Sequence, residues 1–172
     1  MRSQETEVMF LKVYDEHADA IYRFCYFRLF DKEKAEELTQ EAFMRTWEYL
    51  ASGKKVDNIR AFVYRVARNS IVDYFRKKKE VSLDNLHEQG FDVSIEDASR
   101  WESIIDGGDA IRAITLLDEK YRDVLLFRHV DGLLVKEIAV IVGESENAVS
   151  VRLHRGLKQL KEILSQPPRK ES

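Results

Sequence analysis

The chain contains two prolines, Pro167 and Pro168, and both stand near its far end. Proline removes a backbone donor and clashes with the preceding helical turn, so its absence from residues 1–166 leaves long helices unbroken. Glycine, the other common helix breaker, occurs seven times in 172 residues. The chain is therefore predicted to be all-α rather than a strand-and-turn fold.

Apolar spacing divides it further. Phe10, Tyr14, Ile21, Cys25 and Leu29 recur mostly at three- and four-residue steps, as one helix face does. Asp31 can cap a second helix carrying Ala35, Leu38, Ala42, Phe43 and Leu50. After the polar loop "ASGKKVDN", a third helix runs from about Asn58 to the basic cluster Arg76–Lys79. The pattern then changes. Residues 81–108 are weakly periodic and end in Gly107-Gly108; they read as a linker with a short helical turn around Trp101. Helical periodicity returns in "DAIRAITLL", in "DEKYRDVLLFRHV" with Asp118 as N-cap, and in two more helices up to Leu164, before a frayed tail. The expected organisation is two small helical domains, 1–80 and 109–172, joined by the strap 81–108.

Charge follows the same boundaries. The net charge of −3 argues against a nucleic-acid partner until it is mapped. Residues 1–80 hold 16 basic and 14 acidic side chains, residues 81–108 one and seven, and residues 109–172 eleven and ten. Two weakly basic blocks thus flank an acidic linker.

Each basic block places its charges on one helix face. On the helix at 60–80, Arg65, Arg68, Asn69, Val72 and Arg76 share an arc of about 100°, opposite Val63, Ala67, Ser70, Ile71 and Tyr74. Arg60 precedes the arc and Lys77, Lys78 and Lys79 follow it. Phe62, Tyr64, Tyr74 and Phe75 are interleaved; donors with flat aromatics suit a partly single-stranded nucleic acid. Taken singly, Tyr74 and Phe75 read as core. In "KEIAVIVGESENAVSVRL", Ala139, Gly143 and Val149 have helix-turn-helix spacing, with Ser145 as cap. On the second helix, Val149, Leu153, Leu157, Leu160 and Leu164 fall within about 80° and form the expected buried stripe. Asn147, Val151, His154, Arg155 and Lys158 lie on the far side, where Asn can pair with adenine, Arg and Lys with guanine or phosphate, and Val with a thymine methyl.

Other classes find little purchase. No apolar run approaches the length of a membrane span, and the N-terminus lacks a secretory core, so a cytoplasmic protein without membrane insertion is expected. The single cysteine, Cys25, excludes an internal disulfide and reads as a small buried hydrophobe, with redox sensing as the alternative. His17, His87, His129 and His154 have no metal-ligand spacing, and neither a nucleophile motif nor a Gly-rich phosphate loop is present, so neither an enzyme nor a cofactor is expected.

Three blocks together, "AEELTQEAFMRTW", "NIRAFVYRVARNSIVDYFRKKK" and "EKYRDVLLFRHVDGLLVKEIAVIVGESENAVSVRLHRGLKQL", resemble the extracytoplasmic-function sigma factors, small two-domain specificity subunits of bacterial RNA polymerase. The resemblance covers nearly all of the chain outside the linker and tail. It implies that Glu37, Gln40 and Glu41 contact the polymerase core, built on the beta-prime and beta subunits. It implies that the loop 51–58, closed by Asn58, captures a flipped −10 base. Arg60, Arg65, Arg68, Asn69 and Arg76 would grip −10 DNA. The second motif helix would read the −35 element through Asn147, Ser150, Val151, Arg152, His154, Arg155 and Lys158. The acidic linker would occupy the RNA exit path, and an anti-sigma protein is the usual antagonist. The chain departs from the family at Asp118, commonly Pro, at Leu134, often Ser, at Ser150-Val151, often Lys-Ser, and at Phe62, commonly Trp. A stand-alone helix-turn-helix regulator would leave residues 30–80 without a purpose, and a protein-only adaptor would leave both basic faces idle.

Overall fold

The computed structural model describes residues 2–85, 113, 114 and 116–166. The linker from residue 86 onward, the turn around Trp101, most of "DAIRAITLL" and the tail beyond 166 lie outside the described residues. Every extended element among the described residues is a helix, as the scarcity of breakers predicts. In chain order these are α1 (Arg2–Leu29), α2 (Lys32–Ala51), α3 (Ile59–Asn85), α4 (Glu119–His129), α5 (Val135–Val142) and α6 (Glu146–Leu164). They fall into two compact units: α1–α3 in one, and α4, α6 and the start of α5 in the other.

In the first unit all three helices pack against one another. The α1–α2 connection is two residues long. Phe30 takes a left-handed φ of 51° there, and its amide donates to the Tyr26 carbonyl at 2.8 Å. Asp31 then caps α2 by accepting the Lys34 amide at 3.0 Å, so one of the orphan donors of the first turn is satisfied. The core takes Val13, Ile21, Phe24, Cys25 and Leu29 from α1, the predicted α2 set without exception, and Ala61, Val63, Tyr64, Ala67 and Ile71 from α3. Large apolar side chains of this kind each contribute about 1.5–3 kcal/mol on burial. Tyr64 meets Phe24 edge-to-face at 5.3 Å. Two threonines are also buried, and each hydroxyl donates one turn back, Thr39 to Ala35 at 2.6 Å and Thr46 to Ala42 at 2.7 Å, which removes the cost of an unpaired polar group. Tyr14 departs from the predicted stripe. Its ring touches Phe43 at 4.8 Å yet remains exposed, and Val13 holds the interior position beside it.

The loop after α2 is closed at both ends. Gly53 takes a φ of 81° past the end of α2, and Asn58 caps α3 by accepting the Ala61 amide at 2.9 Å. α3 continues to Asn85, past the expected boundary at 80.

In the second unit α4 packs on α6. Asp118 stands at the N-cap of α4, but its side chain makes no capping bond. The carbonyl of Asp118 does the local work instead, accepting the Tyr121 and Arg122 amides at 2.9 and 3.0 Å. α5 lacks the serine cap. Glu137 replaces it by reaching back, so that its buried carboxylate accepts the Leu134 amide at 2.8 Å, half of a capping box. α5 ends at Gly143, with φ 72°, and the Glu144 amide returns to the Ala139 carbonyl at 3.0 Å. Ser145 caps α6 by accepting the Ala148 amide at 3.1 Å, and Val149 is fully buried. These features match the helix-turn-helix spacing. The stripe beyond them does not match in full. Val149 and Leu153 are buried, but Leu157 and Leu164 are exposed. Close helix contact passes instead through Gly156, where a Cβ would stand 3.2 Å from both Leu125 and Tyr121. α6 has 19 residues and α4 eleven, so the apolar stripe outruns the helix that covers it.

Replacing Gly143 with Ala isolates the cost of the turn. A Cβ there meets nothing within 4 Å, so only the left-handed backbone resists it. The substitution is expected to destabilise the helix-turn-helix by about 1–2 kcal/mol, read as a lowered urea midpoint for the full chain by circular dichroism.

Candidate nucleic-acid interface

The first face lies on α3. Because Val63, Ala67, Ser70 and Ile71 are buried, the opposite arc is turned to solvent. Arg65, Asn69 and Arg76 are exposed there, with Lys77, Lys78 and Lys79 continuing the row. Arg68 and Arg60 are half-buried. Arg76 lies 3.4 Å from Asp73, an exposed ion pair that holds the guanidinium only weakly. Asn58 is half-buried, and its side-chain oxygen is engaged by the helix cap. Capping of α3 is therefore the structural role found at this position.

The four aromatics of this helix separate. Tyr64 is 1% exposed. Phe62 is half-buried against Tyr49, with ring centres 4.7 Å apart. Tyr74 is half-buried and Phe75 is 40% exposed, so reading Phe75 as core is corrected. Around α3, Phe75 stands at the border of the two faces, about 40° from the buried Ile71 and about 20° from Arg68.

The second face lies on α2. Glu37 and Gln40 are exposed and Glu41 is half-buried. Glu37 accepts a bond from Lys34 at 2.6 Å, and Glu41 pairs with Arg45 at 2.5 Å. The hydrogen bond to Glu37 raises the Lys34 pKa above the ordinary lysine value, and the Glu37 charge adds to it against a desolvation that lowers it. Met44 continues the same row and is 56% exposed. Sequence reading passed over it, although its place three residues after Glu41 puts it on that face.

The third face lies on α6. Asn147, Ser150, Val151, His154, Arg155 and Lys158 are all exposed. Val151 keeps 41% of its surface, an apolar spot among polar groups. Arg152 differs. It is half-buried, and its guanidinium donates to the Glu144 carboxylate across the turn. The pair ties α6 to the residue that follows Gly143. Among the described residues no cluster of His, Cys, Asp or Glu could hold a metal ion, and no helix is long and apolar enough to cross a membrane.

Residues 13–81 match the family model for sigma-70 region 2, and residues 108–160 that for sigma-70, region 4. Sequence relatives agree. The ECF RNA polymerase sigma factor SigW of Bacillus subtilis is 29% identical over 169 residues, with 90% of this chain and 88% of the relative covered. RNA polymerase sigma factor SigZ of the same organism is 32% identical over 140 residues, covering 80% and 76%. The fold is shared with two solved structures. The sigma factor RpoE, in complex with the anti-sigma factor NepR from Bartonella quintana, aligns with a TM-score of 0.69 at 22% identity, covering 90% of this chain and 96% of that one. CnrH, in complex with the cytosolic domain of CnrY, aligns with a TM-score of 0.67 at 19% identity, covering 95% and 94%. A stand-alone helix-turn-helix regulator would account for the second match but not for the first. With both regions matched in order, the chain belongs to the extracytoplasmic-function sigma factors, the subunits that give bacterial RNA polymerase its promoter specificity.

Proposed function

We propose that the three faces divide the work of promoter recognition, within a domain scheme of 1–80, 81–108 and 109–172. Glu37, Gln40 and Glu41 on α2 engage the polymerase core. Arg65, Arg68, Asn69 and Arg76 on α3, with Arg60 and Asn58 at its start, hold the −10 DNA. Asn147, Ser150, Val151, His154, Arg155 and Lys158 on α6 read the −35 element, and Arg152 adds charge from its place against Glu144. The observation that carries this reading is the outward display of each set on a helix whose other side is buried. Unpaired −10 bases exchange stacking on one another for protein contacts, which favours the open strand. The chain performs no chemistry of its own in this scheme; it works beside the polymerase in the cytoplasm. We assign it a protein antagonist of the anti-sigma class, as NepR is for the Bartonella quintana RpoE.

Core polymerase freed of sigma, supplied with a pool of promoter fragments, should make promoter-specific transcripts only when this protein is added. Absence of any selected promoter sinks the assignment. With a selected promoter, Arg65→Ala combined with Arg68→Ala should reduce strand opening by about tenfold or more, since charge-assisted bonds contribute about 1.5–3 kcal/mol each. Affinity for core should be unchanged; equal loss of both refutes the division of labour.

Salt dependence separates positioning from reading on α6. Lys158→Ala should weaken binding alike on all promoter sequences and lower the slope of log K against log salt by about 0.9. Asn147→Ala should instead change which fragments are selected from the pool. An unchanged slope in the first variant, or an unchanged selection in the second, removes that residue from the interface.

A further inference from the structure

Among the described residues, Arg152 is the one cation of α6 with a carboxylate partner. Its guanidinium donates to Glu144 across the turn, whereas Arg155, Lys158 and Lys161 make no ion pair there. Glu144 is itself held. Its amide donates to the Ala139 carbonyl at 3.0 Å, directly after the left-handed Gly143. The two side chains keep 24% and 33% of their surface, so the pair reaches solvent. Around α6, Arg152 stands about 60° from Arg155 and about 100° from Val151. It occupies the flank between the forward set and Gly156, where the helix meets α4. The major groove of DNA is about 12 Å wide and a helix with its side chains about 10–12 Å across. A side chain flanking the forward set therefore faces the phosphate wall of the groove.

Resting on the assignment of α6 to the −35 element, we propose that Glu144 is a positioning residue that withholds Arg152 from DNA phosphate and so limits how tightly α6 holds any sequence. A free guanidinium on that flank would bind a phosphate through two parallel bonds. Paired, it has its charge offset by the carboxylate beside it, and a phosphate must displace that carboxylate to gain the contact. The charge that Arg152 adds to the face is thus the remainder of a pair. Phosphate contacts are blind to sequence, whereas base contacts choose. Withholding one lowers affinity for random DNA and leaves Asn147, Val151, His154 and Arg155 untouched. A carboxylate that merely repelled phosphate by its own charge would act in the same direction, and removal of Arg152 separates the two.

The test uses holoenzyme with duplex DNA carrying a promoter selected as above, and with a twin whose −35 element is scrambled. Glu144→Gln should tighten binding to both by about two- to fivefold near physiological salt, the effect of one added phosphate contact, and steepen log K against log salt by about 0.9. Arg152→Ala should weaken binding more in the Glu144→Gln background than in the wild type, by the same factor. A merely structural turn residue would not produce that coupling. If the glutamine variant fails to fold, Glu144→Ala decides by the same readouts. A gain that survives when Arg152→Ala is added makes Glu144 a simple repulsive charge and overturns the proposal. A gain confined to the matched promoter means that α6 has been re-aimed at the bases and overturns it too, as does no gain at all. If no promoter is selected in the first place, the sigma-factor reading itself has failed and the proposal with it; normal promoter selection without the coupling removes only the role of Glu144.

Discussion

Burial of one side of α3 against α1 and α2 turns its other side outward. Val63, Tyr64, Ala67 and Ile71 are inside. A helix cannot bury that face without presenting residues 65, 69, 72 and 76 to solvent, because 100° per residue leaves no freedom in the matter. The backbone positions of these side chains are therefore set by the packing of the opposite face. In the proposed scheme the helix backbone under them need not be ordered on DNA, and only their side-chain rotamers remain to be fixed. The same geometry on α2 buries Leu38, Ala42 and Phe43 and displays Glu37, Gln40 and Met44. One three-helix core thus supports two faces of different chemistry.

The helix-turn-helix depends on a different constraint, the satisfaction of helix ends in a short turn. α5 has eight residues, too few to be stable alone in water. Its start is held by Glu137, its end by the left-handed Gly143, and the next helix by Ser145. The Glu144–Arg152 pair then links the turn to the second turn of α6. An exposed pair contributes little to stability. Its effect is on position: it draws one guanidinium back toward the turn and leaves Asn147, Val151, His154 and Arg155 as the forward set.

Much of this was legible because period and composition report directly on burial. The three-helix core on α2 and α3, the caps at Asp31 and Ser145 and the turn at Gly143 follow from spacing and side-chain chemistry. The departures share a cause: they depend on where a partner helix ends or which atom reaches a donor. Leu164 lies on the stripe but two turns past Gly156, where α6 makes its close contact with α4, and it is exposed. Asp118 is a good capping residue whose side chain makes no capping bond. Glu137 caps from inside the helix, where a search for a serine at the start could not find it. Phe75 was counted as core, and its angular position, between the buried Tyr64 and the half-buried Arg68, did not decide the matter. The faces were readable as sets. The roles of Arg152, whose charge is engaged by Glu144, and of Asn58, whose oxygen caps a helix, required atoms.

The charge map adds a last constraint on how such faces act together. The chain as a whole is acidic, so its long-range field does not draw it to DNA, and each basic row acts only within about a Debye length, roughly 8 Å at physiological salt. Binding by either row alone is expected to be weak, as non-specific phosphate contacts are. Tethering changes that arithmetic. In the proposed scheme, once core polymerase holds the α2 face and one helix has found its element, the other meets DNA at the high effective concentration of an intramolecular event. Neither row then needs strong intrinsic affinity, and a modest preference at each can be multiplied into promoter choice. Exposed side chains on buried-backed helices suit that regime, because affinity spread over several moderate contacts discriminates without trapping the protein on random sequence.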